Sequence, residues 1–546
     1  MPMREYSRDI VWLLPPALDE LIPANHMVRF VAEFVDRLKL SEIGIKWTPA
    51  EEGGPSYDRR MLLACWVYGF MSRVRSSRKI ETACAENVPF MWLTGMQVPD
   101  HTTLSRFYKD NRSSLRDLFR KTISLAIEMG LVDFAVHAID GTKMGAVTLE
   151  GRHGRKKIAA LLAKVDEEIA AMERGMADEE SGRQGWAGGK LPKELTQKKE
   201  LRERVKKALE KIDALEAGSK KAAVAQGNQQ GEAEGGKALA DNETGVAVQG
   251  DEQGEAKIPA DSEKAAAAEA DEQGDAKEVK RGPRVSVADP EAIALKGRQG
   301  YKLGYNAQVG VDKKARIVVG ATVCAEPTDL GQLIPVLDEI EESAGRLAEK
   351  TAADGGYHSG DNLENAKGRA TEVYIPDPQE KRKADAPDKW KYHKDNFVYD
   401  ASTDTFSCPE GKPVTFSYTT RRCDEGGREV RVYRCRECSG CPSWGKGQCT
   451  KDKKGRTLEI SGQEEIIREH RKKMQTEEAQ ALMKQRCGIV ELVFGILREH
   501  MGVTRFLLRG LENVKAEWRL ACAAYNLRRI WKEIGVSGLR ARAKAA

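Results

Sequence analysis

The chain has 546 residues, 40% of them hydrophobic and 32% charged, with a formal net charge of +5. That length allows a large core and three or four structural units. No apolar run approaches the roughly 18 residues of a membrane helix, and the start Met1-Pro2-Met3-Arg4-Glu5-Tyr6 lacks the apolar stretch of a secretory leader, so a cytosolic protein with no membrane partner is expected.

Residues 1–130 read as a helical domain. Met27, Val28, Phe30, Val31, Phe34, Val35 and Leu38 recur at helical spacing. The stretch 61–70 is apolar nearly all round, as in the central helix of a bundle. Asp100 or Thr102 can cap a following helix that carries Arg106 and Lys109 outward. Basic residues on such a helix suit a helix-turn-helix facing DNA. An all-α packing domain is the plainer alternative.

Next comes the apolar run Ala135-Val136-His137-Ala138-Ile139, ended by Asp140 and followed by Gly141-Thr142-Lys143. It predicts a short strand that delivers a carboxylate at its C-terminal tip. Residues 131–150 therefore open a catalytic α/β domain, which resumes at 285–380 and 466–546. Between its parts, residues 151–216 carry two heptad stripes, Ile158, Leu162, Val165, Ile169, Met172 and then Leu201, Val205, Ala208, Ile212, Leu215. Two such stripes around the breaker segment 181–189 predict an antiparallel helical hairpin or coiled coil. Residues 217–284 are Ala-, Gly-, Glu-, Gln- and Lys-rich, and no Phe, Trp or Tyr lies between Trp186 and Tyr301. Such a composition buries too little apolar surface to offset its ordering entropy, which predicts a disordered tether.

Beyond it, Tyr305-Asn306-Ala307-Gln308-Val309-Gly310-Val311 alternates like a strand, and 317–323 is a second, more buried one. A helix follows with Leu333, Val336, Leu337, Ile340 and Leu347 as apolar positions. Thr351-Ala352-Ala353-Asp354 then predicts a short strand, and Val373-Tyr374-Ile375-Pro376 another. A strand bearing Asp140, two strands, a helix, a strand bearing Asp354 and a further strand form the order of a ribonuclease-H-like core, a mixed sheet with helices.

Residues 381–465 are a Cys-rich insertion. Eleven cysteines in a cytosolic chain argue against a disulfide framework. Cys435, Cys438 and Cys441 share CxxC spacing, with Cys449 after them, Cys408 before them and Cys423 nearby. Four thiolates would close a structural zinc site. Five candidates compete for four places; the favoured set is Cys408, Cys438, Cys441 and Cys449, drawn from two arms of the insertion, with Cys435 as the alternative ligand. Reduced cysteines without metal are the plainer reading, and Cys65, Cys84, Cys324 and Cys522 read as ordinary buried residues.

The last segment holds Glu491 among Ile489, Val490, Val493, Phe494 and Leu497, where an uncompensated carboxylate would be costly. Arg498 lies two turns further along the same face, placed either to hold a phosphate or to form a surface ion pair. From residue 466 onward there are 17 Lys and Arg against eight Glu and no Asp, a balance suited to a polyanion. Asp140, Asp354 and Glu491 come from three separated segments. Such a set can hold two Mg²⁺ (or Mn²⁺) ions, which activate the attacking oxygen and stabilise the leaving oxygen in phosphoryl transfer.

With these residues named, the chain resembles bacterial insertion-sequence transposases of the DDE type. The likeness rests on Ile139-Asp140-Gly141-Thr142-Lys143, Gly304-Tyr305-Asn306-Ala307-Gln308, Ala353-Asp354-Gly355-Gly356-Tyr357 and Val490-Glu491-Leu492-Val493-Phe494-Gly495 with Arg498. Arg505 to Leu511, Ala524-Tyr525-Asn526-Leu527 and Pro99-Asp100-His101-Thr102-Thr103 add to it. The resemblance implies metal-dependent cleavage at transposon ends and attack of the freed 3′-hydroxyl on target DNA, with Asp140, Asp354 and Glu491 as the metal-binding triad. It implies double-stranded DNA partners (terminal inverted repeats and target), at least a homodimer on DNA, and a bacterial cytoplasmic, nucleoid-associated protein. Two features depart from the family pattern. Arg498 stands where Lys is usual, and the arginine and tyrosine expected a few residues before the glutamate do not fall in register: Arg486 is close, but Cys487 takes the nearest slot. A transposase-derived DNA-binding or nuclease protein without strand transfer is the alternative.

Overall fold

The computed structural model describes residues 17–45, 56–147, 151–181, 193–227, 282–297, 300–385, 390–422, 428–444, 449, 450, 452 and 454–545. Most of the tether, the breaker segment after Ser181, and Cys423 lie outside them.

Six helices come first: α1 (Met27–Arg37), α2 (Arg59–Met71), α3 (Ser77–Glu86), α4 (Val88–Thr94), α5 (His101–Asp110) and α6 (Ser114–Glu128). Short polar side chains start several of them, because the first backbone N–H groups of a helix lack internal partners. The Asp58 carboxylate caps α2 and that of Asp100 caps α5, accepting from Thr102 and Thr103 N–H at 2.9 and 3.0 Å. Residues 62–71 of α2 are all buried, as an all-round apolar helix requires.

A six-stranded mixed sheet follows, from β1 (Val136–Gly145), β2 (Ile293–Gly297), β3 (Gly300–Asp312), β4 (Val318–Cys324), β5 (Lys350–Ala352) and β6 (Glu372–Tyr374). The order is β2-β3-β1-β5-β6, with β4 also on β3. β1 is antiparallel to β3 over nine pairs, from His137–Asp312 to Gly145–Gly304, and parallel to β5, which is parallel to β6. The hairpin strand β2 is an addition to the strands expected from sequence. α9 (Leu333–Ala344) ends at Gly345 in the left-handed region, so Leu347 is buried beyond the helix rather than on it.

β1 does not stop at Asp140. It pairs with β5 only as far as Ala138–Ala352, but its ladder with β3 runs on to Gly145. Asp140 thus sits mid-strand, just where the β5 side of β1 opens.

Two insertions leave this sheet. α7 (Arg155–Ser181) and α8 (Lys193–Gly227) pack on each other through Ile158, Val165 and Ile169 against Leu195, Leu201, Val205, Ala208 and Ile212. Ion pairs such as Arg202–Asp166 (2.5 Å) flank this seam. α8 continues past residue 216 through Gly227, because the Ala- and Lys-rich composition that opposes a core also favours helix. Leu215, expected in the seam, is 44% exposed. The second insertion is a five-stranded antiparallel sheet, β7 (Val398–Asp400), β8 (Thr405–Ser407), β9 (Pro413–Arg422), β10 (Arg428–Cys435) and β11 (Thr457–Ser461), in the order β11-β10-β9-β8-β7. It has its own small core of Phe397, Phe406, Val414, Tyr433 and Leu458.

The chain closes with α10 (Gly360–Ala366) and α11 (Pro378–Asp385) before the second insertion, and α12 (Glu464–Met474), α13 (Glu477–Gly495) and α14 (Leu511–Ala545, kinked at Gly535) after it. α14 ties the molecule together. Its Trp518, Leu520 to Tyr525 and Leu527 are buried in one continuous core shared by helices α1–α6 and the sheet. Asn526 clamps β4 by accepting from Val318 N–H (2.9 Å) and donating to Val318 C=O (2.8 Å) and Thr122 Oγ1 (3.2 Å). Arg75, from the loop after α2, is buried against Glu517 of α14 at 2.7 Å. Among the described residues no helix is long and apolar enough to cross a membrane.

Candidate active site

Asp140 and Asp354 are brought together by register. In the parallel pairing of β1 and β5, Ala138 stands beside Ala352, so the residues two further on each strand, Asp140 and Asp354, emerge on the same side. Asp354 leaves β5 to cap a 3₁₀ turn (Gly355–Tyr357), its Oδ1 accepting from Gly356 N–H at 2.8 Å. Asp140 Oδ1 accepts from Gly141 N–H at 2.9 Å and meets Arg486 Nη2 of α13 at 3.1 Å. Burial pushes the Asp140 carboxyl up to about 6; Arg486 works against that rise, whereas Asp354 and Asp329 add to it.

Asp329, in the loop between β4 and α9, carried no signal of its own in the sequence. Its Oδ1 accepts from Asn306 Nδ2 at 2.7 Å and Gln308 Nε2 at 2.6 Å, both amides belonging to β3. The Tyr357 hydroxyl in turn bonds Gln308 Oε1. Burial drives that hydroxyl well above its ordinary range, and Asp329, Asp140 and Asp354 all push the same way. Gly141 makes room for this approach. A Cβ there would fall 2.6 Å from Asp329 Oδ1 and 2.5 Å from Gln308 Nε2.

α13 brings two arginines to β1. Arg486 is 6% exposed and reaches Asp140; Arg498 reaches the Thr142 hydroxyl and stacks over Phe494 at 5.9 Å. Arg498 lies in a π-helical turn (Ile496–His500) that extends α13, a local widening often found where a helix must present a side chain off its regular track.

Glu491 is elsewhere than its apolar neighbours suggested. Ile489, Val490, Val493 and Leu497 form the buried face of α13, while Glu491 is exposed beside Leu492, itself 42% exposed. The burial argument for it therefore fails, because the apolar residues flank it in sequence but turn to the opposite side of the helix. Among the described residues no three His, Cys, Asp or Glu side chains are grouped so as to hold a metal ion. The structure thus pairs Asp140 with Asp354 and places Glu491 on the solvent side of the helix that faces them.

Arg106 and Lys109 are exposed on α5, whose apolar face, Leu104, Phe107 and Tyr108, is buried.

In the Cys-rich insertion, Cys408 Sγ accepts from Lys412 N–H at 3.2 Å and Cys438 Sγ from Arg456 N–H at 3.3 Å. Cys441 N–H closes a turn onto Cys438 C=O at 3.0 Å. Cys435 is 2% exposed inside the small core. Gly455, at φ 101°, lies so close to this loop that a Cβ would fall 3.4 Å from Cys438 Sγ and 2.3 Å from Cys435 C=O. Of the other cysteines, Cys65, Cys84 and Cys522 are buried and Cys324 is half-buried.

Two family models match the chain. One, described as a transposase domain (DUF772), covers residues 16–110, the segment of α1 to α5. The other, a transposase DDE domain, covers residues 407–531, with the cysteines, Arg486, Glu491 and Arg498; Asp140 and Asp354 precede it. No curated protein and no solved structure matches the chain. Transposase segments at both ends of one chain, with an aspartate pair at the centre of the sheet between them, indicate a DDE-type insertion-sequence transposase.

Proposed function

We propose that the protein catalyses DNA transposition of an insertion sequence, by metal-dependent strand cleavage at the element's ends and transfer of the freed 3′-hydroxyl to target DNA. The observation that carries this reading is the aspartate pair at the end of the β1–β5 register, with Arg486 supplying the only basic side chain bonded to Asp140 among the described residues. The strand order, three antiparallel strands continued by two parallel ones with α9 and α13 packed on them, supports a ribonuclease-H-like core.

A carboxylate held at the cost of burial gains most from a cation. Mg²⁺ or Mn²⁺ would supply the Lewis acid that activates the attacking oxygen and stabilises the leaving one. Asp140 and Asp354 would bind it through carboxylate oxygens, which suit hard cations. Glu491 is proposed as the third acid. It stands on α13 between Arg486 and Arg498, both of which touch β1, so its helix is already seated on the acid-bearing strand. Arg498, beside Thr142, is placed to take a phosphate of the DNA backbone, and Arg106 on α5 another. Terminal inverted repeats and target DNA are the proposed partners. Joining two ends calls for at least two copies of the chain on DNA.

A structural zinc ion held by Cys408, Cys438, Cys441 and Cys449 is proposed from their CxxC-type spacing in the sequence. Backbone N–H groups already point at two of the four sulfurs, those of Cys408 and Cys438. Cys435, sunk in the small core, is the least suited of the five.

The test is a joining assay with pre-cleaved terminal-repeat DNA, a target plasmid and Mg²⁺. Joined product is expected from the wild type and none from Asp140→Ala, Asp354→Ala or Glu491→Gln. Cleavage without joining would instead make the protein a nuclease, and full activity in any of the three variants would remove that residue from the triad.

A further inference from the structure

The hairpin that joins β2 to β3 carries a surface that the aspartate pair does not account for. Tyr301 is 71% exposed, the most exposed large apolar side chain among the described residues. A lone exposed ring is ordinary. This one stands directly opposite Lys296 across the hairpin, in a stretch, residues 292–311, that holds no Asp or Glu. The next pair, Leu295 and Lys302, points to the other face of the hairpin, where Leu295 is buried.

Register relates this hairpin to the acid-bearing strand. Asp140 stands opposite Val309 of β3, and residues at two-residue steps from Val309 share its face: Ala307, Tyr305, Leu303 and Tyr301. Tyr301 and Lys296 therefore lie on the Asp140 face, beyond the end of β1. From Val309 to Tyr301 is about 27 Å at ~3.3 Å per residue. The interval is not bare sheet. Phe506 packs on Tyr305 with ring centroids 6.0 Å apart, and its neighbour Arg505 lies beside Gly145, the last residue of β1. Residues 500–511 also contain no acid. Arg505 is exposed, and nearer Asp140 the exposed Arg498 touches the Thr142 hydroxyl. Among the described residues Lys296, Arg498 and Arg505 form no ion pair. Three cations without acidic partners thus follow one another away from Asp140, and cations strung along one line suit a straight rod of evenly spaced charge. Each strand of a DNA duplex carries a phosphate every ~3.4 Å, so the span matches about eight base pairs.

We infer that this surface seats a DNA duplex, which runs from the Asp140 end of β1 across Arg505 to the β2–β3 hairpin, with Lys296 on a phosphate and Tyr301 against the adjoining sugar. Contacts of this kind read no bases; they set the position of the duplex on the protein. The hairpin thereby helps set which phosphodiester meets Asp140 and Asp354. The inference rests on the transposase reading, because it takes double-stranded DNA as the partner.

The experiment is binding of the whole chain to a fluorescent duplex of about 20 base pairs, longer than the proposed seat, read by anisotropy across a KCl series. Each lost phosphate contact lowers the slope of log K against log salt by about 0.9. Lys296→Ala and Arg505→Ala are each expected to lower it by about that amount, and the double variant by about twice as much. Tyr301→Ala should weaken binding severalfold with the slope unchanged, since its contact carries no charge. Lys302→Ala removes an equal charge from the other face of the hairpin and should leave affinity and slope as in the wild type. All four side chains are exposed, so the substitutions spare the fold. If Lys296→Ala keeps the wild-type slope, or Lys302→Ala lowers it equally, the inference is overturned and the transposase reading stands. If the wild type shows no salt-dependent binding to duplex DNA, the transposase reading fails and the inference falls with it.

Discussion

Asp140→Asn separates what the site costs from what it does. Asp140 is 21% exposed at its side chain, and burial raises its carboxyl from 3.8 to about 6 despite the Arg486 guanidinium 3.1 Å away. A rise of about two units means that the charged carboxylate disfavours folding by roughly 2–3 kcal/mol at neutral pH, at about 1.4 kcal/mol per unit. Between these two values the folded chain holds a proton that the unfolded chain has lost, so stability falls as pH rises from 3.8 to about 6 and is level above that. Asparagine has the same shape and no charge. In metal-free buffer the variant should therefore match the wild type near pH 3.5 and exceed it by roughly 2–3 kcal/mol from pH 6.5 upward. For a chain of this size that is an apparent Tm higher by a few degrees. Added Mg²⁺ should raise the Tm of the wild type but not of the variant, and the variant should cleave no DNA. Differential scanning fluorimetry across pH, with and without Mg²⁺, reads all of this. A variant less stable than wild type at pH 7.5 without metal would refute the reasoning, since Arg486 would then be gaining more from the carboxylate than burial costs it.

Other perturbations reach different parts of the molecule. Arg75→Ala leaves Glu517 buried at 3% exposure without its partner, which should cost about 3–5 kcal/mol; replacing both residues by Met and Leu should recover most of it, as urea unfolding would show. Cys408→Ser should remove one bound zinc per chain by metal analysis and make the β7–β11 sheet sensitive to protease, whereas Cys435→Ser should retain the metal. Arg498→Ala should lower strand cleavage by about 10- to 100-fold, in the range of a lost phosphate-positioning contact. Its Tm should stay within a degree of wild type, because the residue is exposed and its partner Thr142 keeps its strand pairing.

How much of this was legible depended on the kind of signal each residue leaves. Asp140 and Asp354 each end an apolar run before a glycine, a pattern that survives in one dimension. Asp329 sits in Glu326-Pro327-Thr328-Asp329, where nothing periodic marks it. Its trace is indirect, in the two carboxamides of β3 at 306 and 308, which share the strand face opposite Ala307, Val309 and Val311. Arg486 was off register for the family pattern, yet α13 turns it onto Asp140. Glu491 shows the opposite error. Nearness in sequence to Val490 and Val493 implied burial, but a helix separates consecutive residues by about 100° and puts Glu491 in solvent. The Cys-rich sheet was missed although Val414, Phe416 and Tyr418 of β9 and Val430 and Val432 of β10 alternate at the period of a strand, because the cysteine spacing drew the reading of that segment.

The separation of Asp140 from its partners matters little to the fold. The link between β1 and β3 contains a helical hairpin and more than 50 residues beyond α8, yet closing a loop costs free energy only with the logarithm of its length. Lengthening a five-residue hairpin to roughly 150 residues adds about 3 kcal/mol by that scaling. The nine-pair ladder from His137–Asp312 to Gly145–Gly304, with Ala138, Ile139 and Met144 buried along it, offsets a sum of that size. Register, once set by that ladder, then fixes Asp140 relative to β3 and through it to Gln308, Asn306 and Asp329. The short pairing with β5 fixes it relative to Asp354. A carboxylate centre assembled this way tolerates long insertions between its members but not a slip of one residue in β1, which would carry Asp140 to the other face of the sheet.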